Sequence, residues 1–187
     1  MRKSLSQRIR ETADRIRLVD ATPEHAQVLF EIFTGAKTRK YSPVSKMSVE
    51  ELAVRLEQSG GSFSEHALFY RFFGEYESAL FGTFIVKNIE WRKQEAEIGF
   101  SLLDKWQGKG LGSALVYKCV SKIYEESTIE RLWGTVSISN DSCQRLMRCL
   151  GFDNCGLHKE PFLIKGKPVN QISYRMNREQ WNVLAHL

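Results

Sequence analysis

Paired cysteine spacing is missing from this sequence: Cys119, Cys143, Cys149 and Cys155 form neither a zinc-ribbon nor a redox motif. No secretory leader precedes them, so a reducing, cytoplasmic setting is expected. Also missing is any apolar run near the roughly 18 residues that suggest a membrane-spanning helix, and no membrane partner is expected. Internal repeats and low-complexity tracts are absent as well, which excludes solenoid and linker architectures. What is there is a chain of 187 residues, a length that normally makes one domain. Aliphatic and aromatic residues run from Ile16 to Trp181 without a long polar gap, enough apolar surface to offset ordering entropy. The Arg-rich start resembles a transit peptide, but Glu11 and Asp14 interrupt it and a strand pattern follows at once. Residues 1–13 are therefore expected to be a mobile or lightly docked extension, and 14–187 a single domain.

The formal net charge is +5 and the pI about 9.0. That balance permits anionic partners, yet the densest basic stretches, Arg2 to Arg17 and Lys37 to Lys46, lack the interleaved aromatics of a single-strand binder. A solvated basic face is the simpler reading, and no nucleic acid is expected. In the second stretch Lys37, Arg39, Lys40 and Lys46 have another possible use, facing an anionic acceptor or phosphates.

Ile16 and Leu18 alternate as a first strand should. Thr22-Pro23 then opens a helix with Val28, Leu29, Ile32 and Phe33 on its buried stripe, closed by Gly35. A second helix begins at Ser48, where Glu51 completes a capping box, and ends at Gly60-Gly61. The basic segment between them reads as a surface loop. Strands at Ala67 to Phe73, Ala79 to Val86 and Ala96 to Leu103 read as an antiparallel meander. Leu111, Leu115, Cys119 and Val120 mark a helix up to Glu125, followed by a strand at Leu132 to Val136. Asn140 to Ser142 cap another helix that Gly151 stops, and Lys165-Gly166-Lys167 turns a final hairpin ending near Met176.

The chemistry concentrates between Leu103 and Ser113, where a strand meets a helix through Gly108, Gly110 and Gly112. Glycines there allow a tight turn and close ligand approach, while amides at the helix start point outward with partial positive charge. Such a nest suits a pyrophosphate, to which Lys105 and Lys109 could add charge-assisted contacts with Gln107 at the rim, while the glycines read by themselves equally describe an ordinary tight connection. The nucleotide P-loop spelling is absent, and the dinucleotide fingerprint fails on spacing and on position past the chain's midpoint.

The spelling Gln107-x-x-Gly110-x-Gly112, with Ala96-Glu97-Ile98-Gly99-Phe100 before it and Asn140 and Leu150-Gly151-Phe152 after it, resembles the GCN5-related N-acetyltransferase (GNAT) superfamily. The similarity runs over roughly Ile16 to Met176 and points to the branch of ribosomal-protein N-terminal and spermidine acetyltransferases. It implies an α/β (α+β) domain: a mixed, mostly antiparallel central sheet flanked by helices, with a central strand-loop-helix cofactor site. Acetyl-coenzyme A would be the cosubstrate, with no metal, and the partner an amine on a small molecule or a peptide N-terminus. A monomer or homodimer is compatible with this.

Carried over residue by residue, the resemblance implies that the backbone of Gln107, Gly108, Lys109, Gly110, Leu111, Gly112 and Ser113 holds the pyrophosphate. Leu102 and Leu103 would pair with the pantetheine arm, a main-chain N–H there would polarise the thioester, and Asn140 would contact a pantetheine amide. Asn140 read by itself is equally a helix N-cap. Transfer needs a neutral amine, so a base is required. Glu97 is the first candidate, against the alternative of a solvent-facing strand residue, and Glu160 the second. The spermidine-type tyrosine falls on Met147, which cannot donate a proton. The serine of the ribosomal-protein type falls on Cys143, with Ser142 beside it. Either is a candidate acid, although a thiolate already leaves fairly well unaided. A non-catalytic acyl-coenzyme A sensor is the alternative function.

Overall fold

The computed structural model describes residues 5–43, 46–63 and 67–186. Its elements in chain order are α1 (Leu5–Asp14), β1 (Arg17–Asp20), α2 (Ala26–Thr34), α3 (Ala36–Tyr41), α4 (Val49–Glu57), β2 (Tyr70–Tyr76), β3 (Ala79–Glu90), β4 (Glu95–Leu102), α5 (Leu111–Glu126), β5 (Arg131–Ser137), α6 (Asp141–Cys149), β6 (Asp153–Leu157), β7 (Phe162–Ile164), β8 (Lys167–Val169), β9 (Gln171–Asn177) and α7 (Arg178–His186). Seven strands form one sheet in the order β1-β2-β3-β4-β5-β9-β6, antiparallel throughout except where β4 meets β5.

Alternation along the strands divides the apolar residues between two faces. Phe72, Phe84, Val86, Ala96, Leu132 and Tyr174 belong to the core shared with α1, α5 and α7. Phe73 packs on the other side with Leu29 and Ile32 of α2 and Leu52 and Leu56 of α4. Helix α4 starts where its sequence says it should: the Ser48 side chain accepts from the Glu51 N–H, and the Glu51 carboxylate accepts from the Ser48 N–H at 2.7 Å.

Three expectations need correction. Residues 5–14 are not a loose extension: α1 packs on α5, Ile9 and Ala13 are buried, and Lys118 Nζ donates to the Ala13 carbonyl at 3.0 Å. Residues 1–4 lie outside the described chain. The basic stretch after Gly35 is partly helical, as α3, because the Lys37 N–H and Nζ both reach Asp104 in the loop after β4. The Lys165-Gly166 turn joins only the small β7–β8 pair; β9 beyond it lies between β5 and β6 in the main sheet. Helix α7 follows directly, held by Arg178, whose guanidinium donates to the carbonyls of Tyr124, Ser127 and Ile129 and to Glu130. The buried Trp181 seals that end of the core against Tyr117 and Tyr124.

Because α1 contributes buried residues, Ile9→Ala is expected to lower unfolding free energy by about 2 kcal/mol or more. Urea denaturation measures it, and a loosely attached segment would give no change.

Candidate functional site

Strands β4 and β5 pair in parallel over only Glu95↔Arg131, Ala96↔Leu132 and Glu97↔Trp133. Past that point they part. Gly134 sits at the fork, where an added Cβ would lie 3.0 Å from the Ile98 carbonyl oxygen. On its other edge β4 remains bonded to β3, and the Leu103 N–H donates to the Phe81 carbonyl at 2.9 Å. Backbone groups alternate in direction along a strand, so the even-numbered N–H groups of β4 point toward β5; that of Ile98 belongs to the last parallel pair, and those of Phe100 and Leu102 face the opening. The Leu103 N–H, expected to share in this edge, is taken up by β3.

The loop that follows lies at the wide end of the fork. Gln107 does not stand at its rim: its Nε2 donates to the Leu102 carbonyl at 3.1 Å and reaches Asp104 Oδ1, and its N–H leans on the Asp104 carbonyl. It braces the loop from within. Gly108 and Gly110 both have φ of +80°, and a Cβ at either would meet nothing within 4 Å. Left-handed backbone facing open space is the combination that glycine supplies most cheaply. Among the described residues, no protein acceptor takes the N–H groups from Gly108 to Ser113; the first amide bonded back is that of Ala114, to the Gly110 carbonyl. These are the orphan donors of a helix start, converging where the helix dipole is positive.

The other loop residues divide between packing and solvent. Leu111 is buried, and Gly112 lets α6 approach, since a Cβ there would lie 3.2 Å from Leu146 Cδ1. Lys109 is exposed with its ammonium 4.9 Å from the Trp106 ring centroid, and Lys105 is exposed.

On the α2/α4 side the fork opens into a cavity of about 380 Å³. Glu97 lines it and is 7 % exposed, so it is not the solvent-facing strand residue that its sequence equally allowed. Lys87 Nζ lies 3.0 Å from Oε1, and Asn88 Nδ2 donates to Oε2 at 2.6 Å, which fixes the carboxylate's orientation. Asn140 lines the cavity while its Oδ1 caps α6 by accepting from the Cys143 N–H at 3.2 Å, leaving Nδ2 as the donor for any further contact. Cys143 also lines it, and burial pushes its thiol up to about 12, so it stays protonated at neutral pH. Ser142 is exposed, its hydroxyl directed to Arg145, and Glu160 is exposed outside the cavity. The structure does not bring these two to the site.

Sequence reasoning passed over Arg71, Thr83 and Lys87, which line the same cavity. A signal was present: in Phe69-Tyr70-Arg71-Phe72-Phe73 a lone cation interrupts an aromatic strand. Among the described residues no group of three or more potential metal ligands occurs, and no helix is long and apolar enough to cross a membrane.

A family model described as the acetyltransferase (GNAT) domain matches residues 15–153. The chain is 23% identical over 163 residues to the uncharacterized N-acetyltransferase YoaA of Bacillus subtilis (strain 168), covering 86% of this chain and 92% of that one. Its fold is similar to the ribosomal L7/L12 α-N-protein acetyltransferase RimL in complex with coenzyme A, with a TM-score of 0.74, 18% identity and coverage of 87% and 94% of the two chains. It is similar also to a spermidine N-acetyltransferase SpeG chimera from Vibrio cholerae and hSSAT, with a TM-score of 0.78, 16% identity and coverage of 90% and 98%.

Gly110→Val should weaken coenzyme A binding at least tenfold, since it adds bulk where the free amides converge. The backbone strain should cost only about 1–3 kcal/mol of stability. Calorimetric titration together with a melting curve checks both, and undiminished affinity would place the ligand elsewhere.

Proposed function

The chain belongs to the GNAT acetyltransferase family, whose acyl donor is acetyl-coenzyme A, and from that premise we propose that it transfers the acetyl group directly to a primary amine held in the cavity beside Glu97. The observation that carries this reading is the row of unclaimed amides from Gly108 to Ser113 at the mouth of a fork whose inner end holds a buried carboxylate.

The residues present fit such a donor. The amides and the helix dipole hold the diphosphate without needing a lysine to contact it. The β4 edge from Gly99 to Leu102, unpaired on its β5 side, offers the Phe100 and Leu102 N–H groups to the pantetheine arm, and Asn140 Nδ2 offers one more from the start of α6. When bound, the donor supplies an activated thioester carbonyl. One N–H of the β4 edge then meets the carbonyl oxygen as negative charge develops, fixed in place by the strand and so needing no reorganisation.

An exposed amine near pKa 10 arrives mostly as ammonium and must lose a proton before it can attack. Glu97 receives that proton, directly or through one water; its two oxygens keep lone pairs beyond those engaged by Lys87 and Asn88. The Cys143 thiol lines the cavity and is the candidate donor toward the departing sulfur, but burial pushes it up to about 12, which makes it a weaker acid than the thiol that leaves. Its contribution is small, because a thiolate near neutral pH needs little help. Met147 contributes packing only.

The reading is tested by mass detection of acetylated product across an amine panel, with thiol release followed in parallel. Tight coenzyme A binding without turnover on any amine would instead favour an acyl-coenzyme A sensor. Glu97→Gln is expected to lower kcat about 100-fold at pH 7 with coenzyme A affinity retained. Its residual rate should climb with pH as the amine deprotonates unaided. Cys143→Ala should cost less than about tenfold; the reverse order of these two effects would reassign the proton transfers.

A further inference from the structure

Arg71 projects from β2 on the cavity face of the sheet and is 7 % exposed. Its Nη1 donates to Thr83 Oγ1 at 3.1 Å, and the Phe33 ring of α2 lies 5.7 Å from its guanidinium carbon. Thr83 in turn donates to the Phe72 carbonyl. Among the described residues no carboxylate pairs with Arg71. Burial, with Arg55 nearby adding like charge, pulls its pKa down to about 10, still well above neutral, so the cation persists. A buried guanidinium has five donors and a large desolvation cost, and one neutral hydroxyl does not offset it.

The charges facing the cavity do not balance. Lys87 and Glu97 neutralise each other, which among the described residues leaves Arg55 and Arg71 without a carboxylate partner. Register places Arg71 opposite Ile85, which is opposite Gly99, two residues along β4 from Glu97. Two strand spacings across and two residues along separate the Arg71 and Glu97 Cα atoms by roughly 12 Å. An extended molecule of several bonds spans that interval.

Resting on the acetyltransferase reading and deepening it, we propose that Arg71 binds an anionic oxo group, carboxylate or phosphate, carried by the amine acceptor itself. The acceptor is then amphoteric: its amine lies at Glu97 and its anion on the free side of the guanidinium, with Arg55 adding attraction at the cavity's outer wall. A polyamine, all cation, is disfavoured at such a wall.

The test compares matched pairs by kcat/KM: 6-aminohexanoate with hexylamine, the dipeptide Ala-Glu with Ala-Gln, and phosphoethanolamine with ethanolamine, with spermidine as the opposite extreme. The anionic member should win by at least tenfold in one pair or more, and which pair responds separates carboxylate from phosphate. In R71M that ratio should fall toward one, a loss of about tenfold or more, with coenzyme A affinity retained. R71K should keep part of the preference. The melting temperature of R71M should hold or rise, because a buried, unpaired charge is removed. Preference absent from every pair, or R71M slowing both members equally, overturns the proposal. Binding of 6-aminohexanoate and of phosphoethanolamine to the coenzyme A-saturated protein, measured calorimetrically, is the arm without catalysis. If no amine is acetylated yet R71M weakens anion binding tenfold, the transferase reading fails and the anion site stands. If neither turnover nor Arg71-dependent binding is seen, the anion site fails too.

Discussion

The bond ladder between β4 and β5 ends after three residue pairs, and nearly everything at the site follows from what that leaves unpaired. Unpaired strand edges inside a protein are costly unless something else satisfies them. Here the β4 edge faces a fork that widens toward α5, so its donors are open to solvent or to a molecule laid along the opening. Gly134 keeps the fork narrow at its closed end, where an added Cβ would lie 3.0 Å from the Ile98 carbonyl oxygen. The result is a slot with a fixed direction: amides at the wide end, carboxylate at the narrow one.

In the proposed function that direction divides the work between a donor end and an acceptor end. The amides from Gly108 onward cannot fold back, since the helix they begin has no preceding turn to supply carbonyls. Gln107 and Asp104 stiffen the loop so the amides stay aimed when nothing is bound. Asp104 also receives Lys37, which ties the start of α3 to the loop and lets α3 border the acceptor cavity. The Lys37 N–H meets the Asp104 carboxylate and its ammonium meets the Asp104 carbonyl, so α3 and the loop are held to each other by one residue pair.

Much of this was legible because the chemistry is backbone chemistry with a strict spelling. A left-handed turn before a helix demands glycine, so Gly108 and Gly110 show themselves; an N-cap demands a short polar side chain, so Ser48 and Asn140 do as well. Other elements were not legible. Helix α1 buries Ile9 and Ala13 among charged residues, too few apolar positions for its period to stand out before α5 is there to receive them. Helix α3 has no buried residue, and its register depends on Asp104, far off in sequence. Helix α7 rests on Arg178 and Trp181, whose partners come from α5 and the turn after it. The β7–β8 turn was read correctly as a turn but not as a detour, since nothing local says which strand will join the main sheet.

The electrostatics of the acceptor side complete the argument. A carboxylate meant to receive a proton and a cation meant to hold an anion would cancel if they touched, and each would then be merely structural. The sheet keeps them two strands apart, and Lys87, opposite Glu97 in the register, balances the carboxylate locally. Arg71 keeps its field because its nearest polar partner is the uncharged Thr83 and its nearest ring is Phe33. Folding alone does not favour that arrangement, since a well-packed apolar residue at the same place would be as stable or more so. A buried cation that costs stability and has a cavity in front of it is best explained by what the cavity admits.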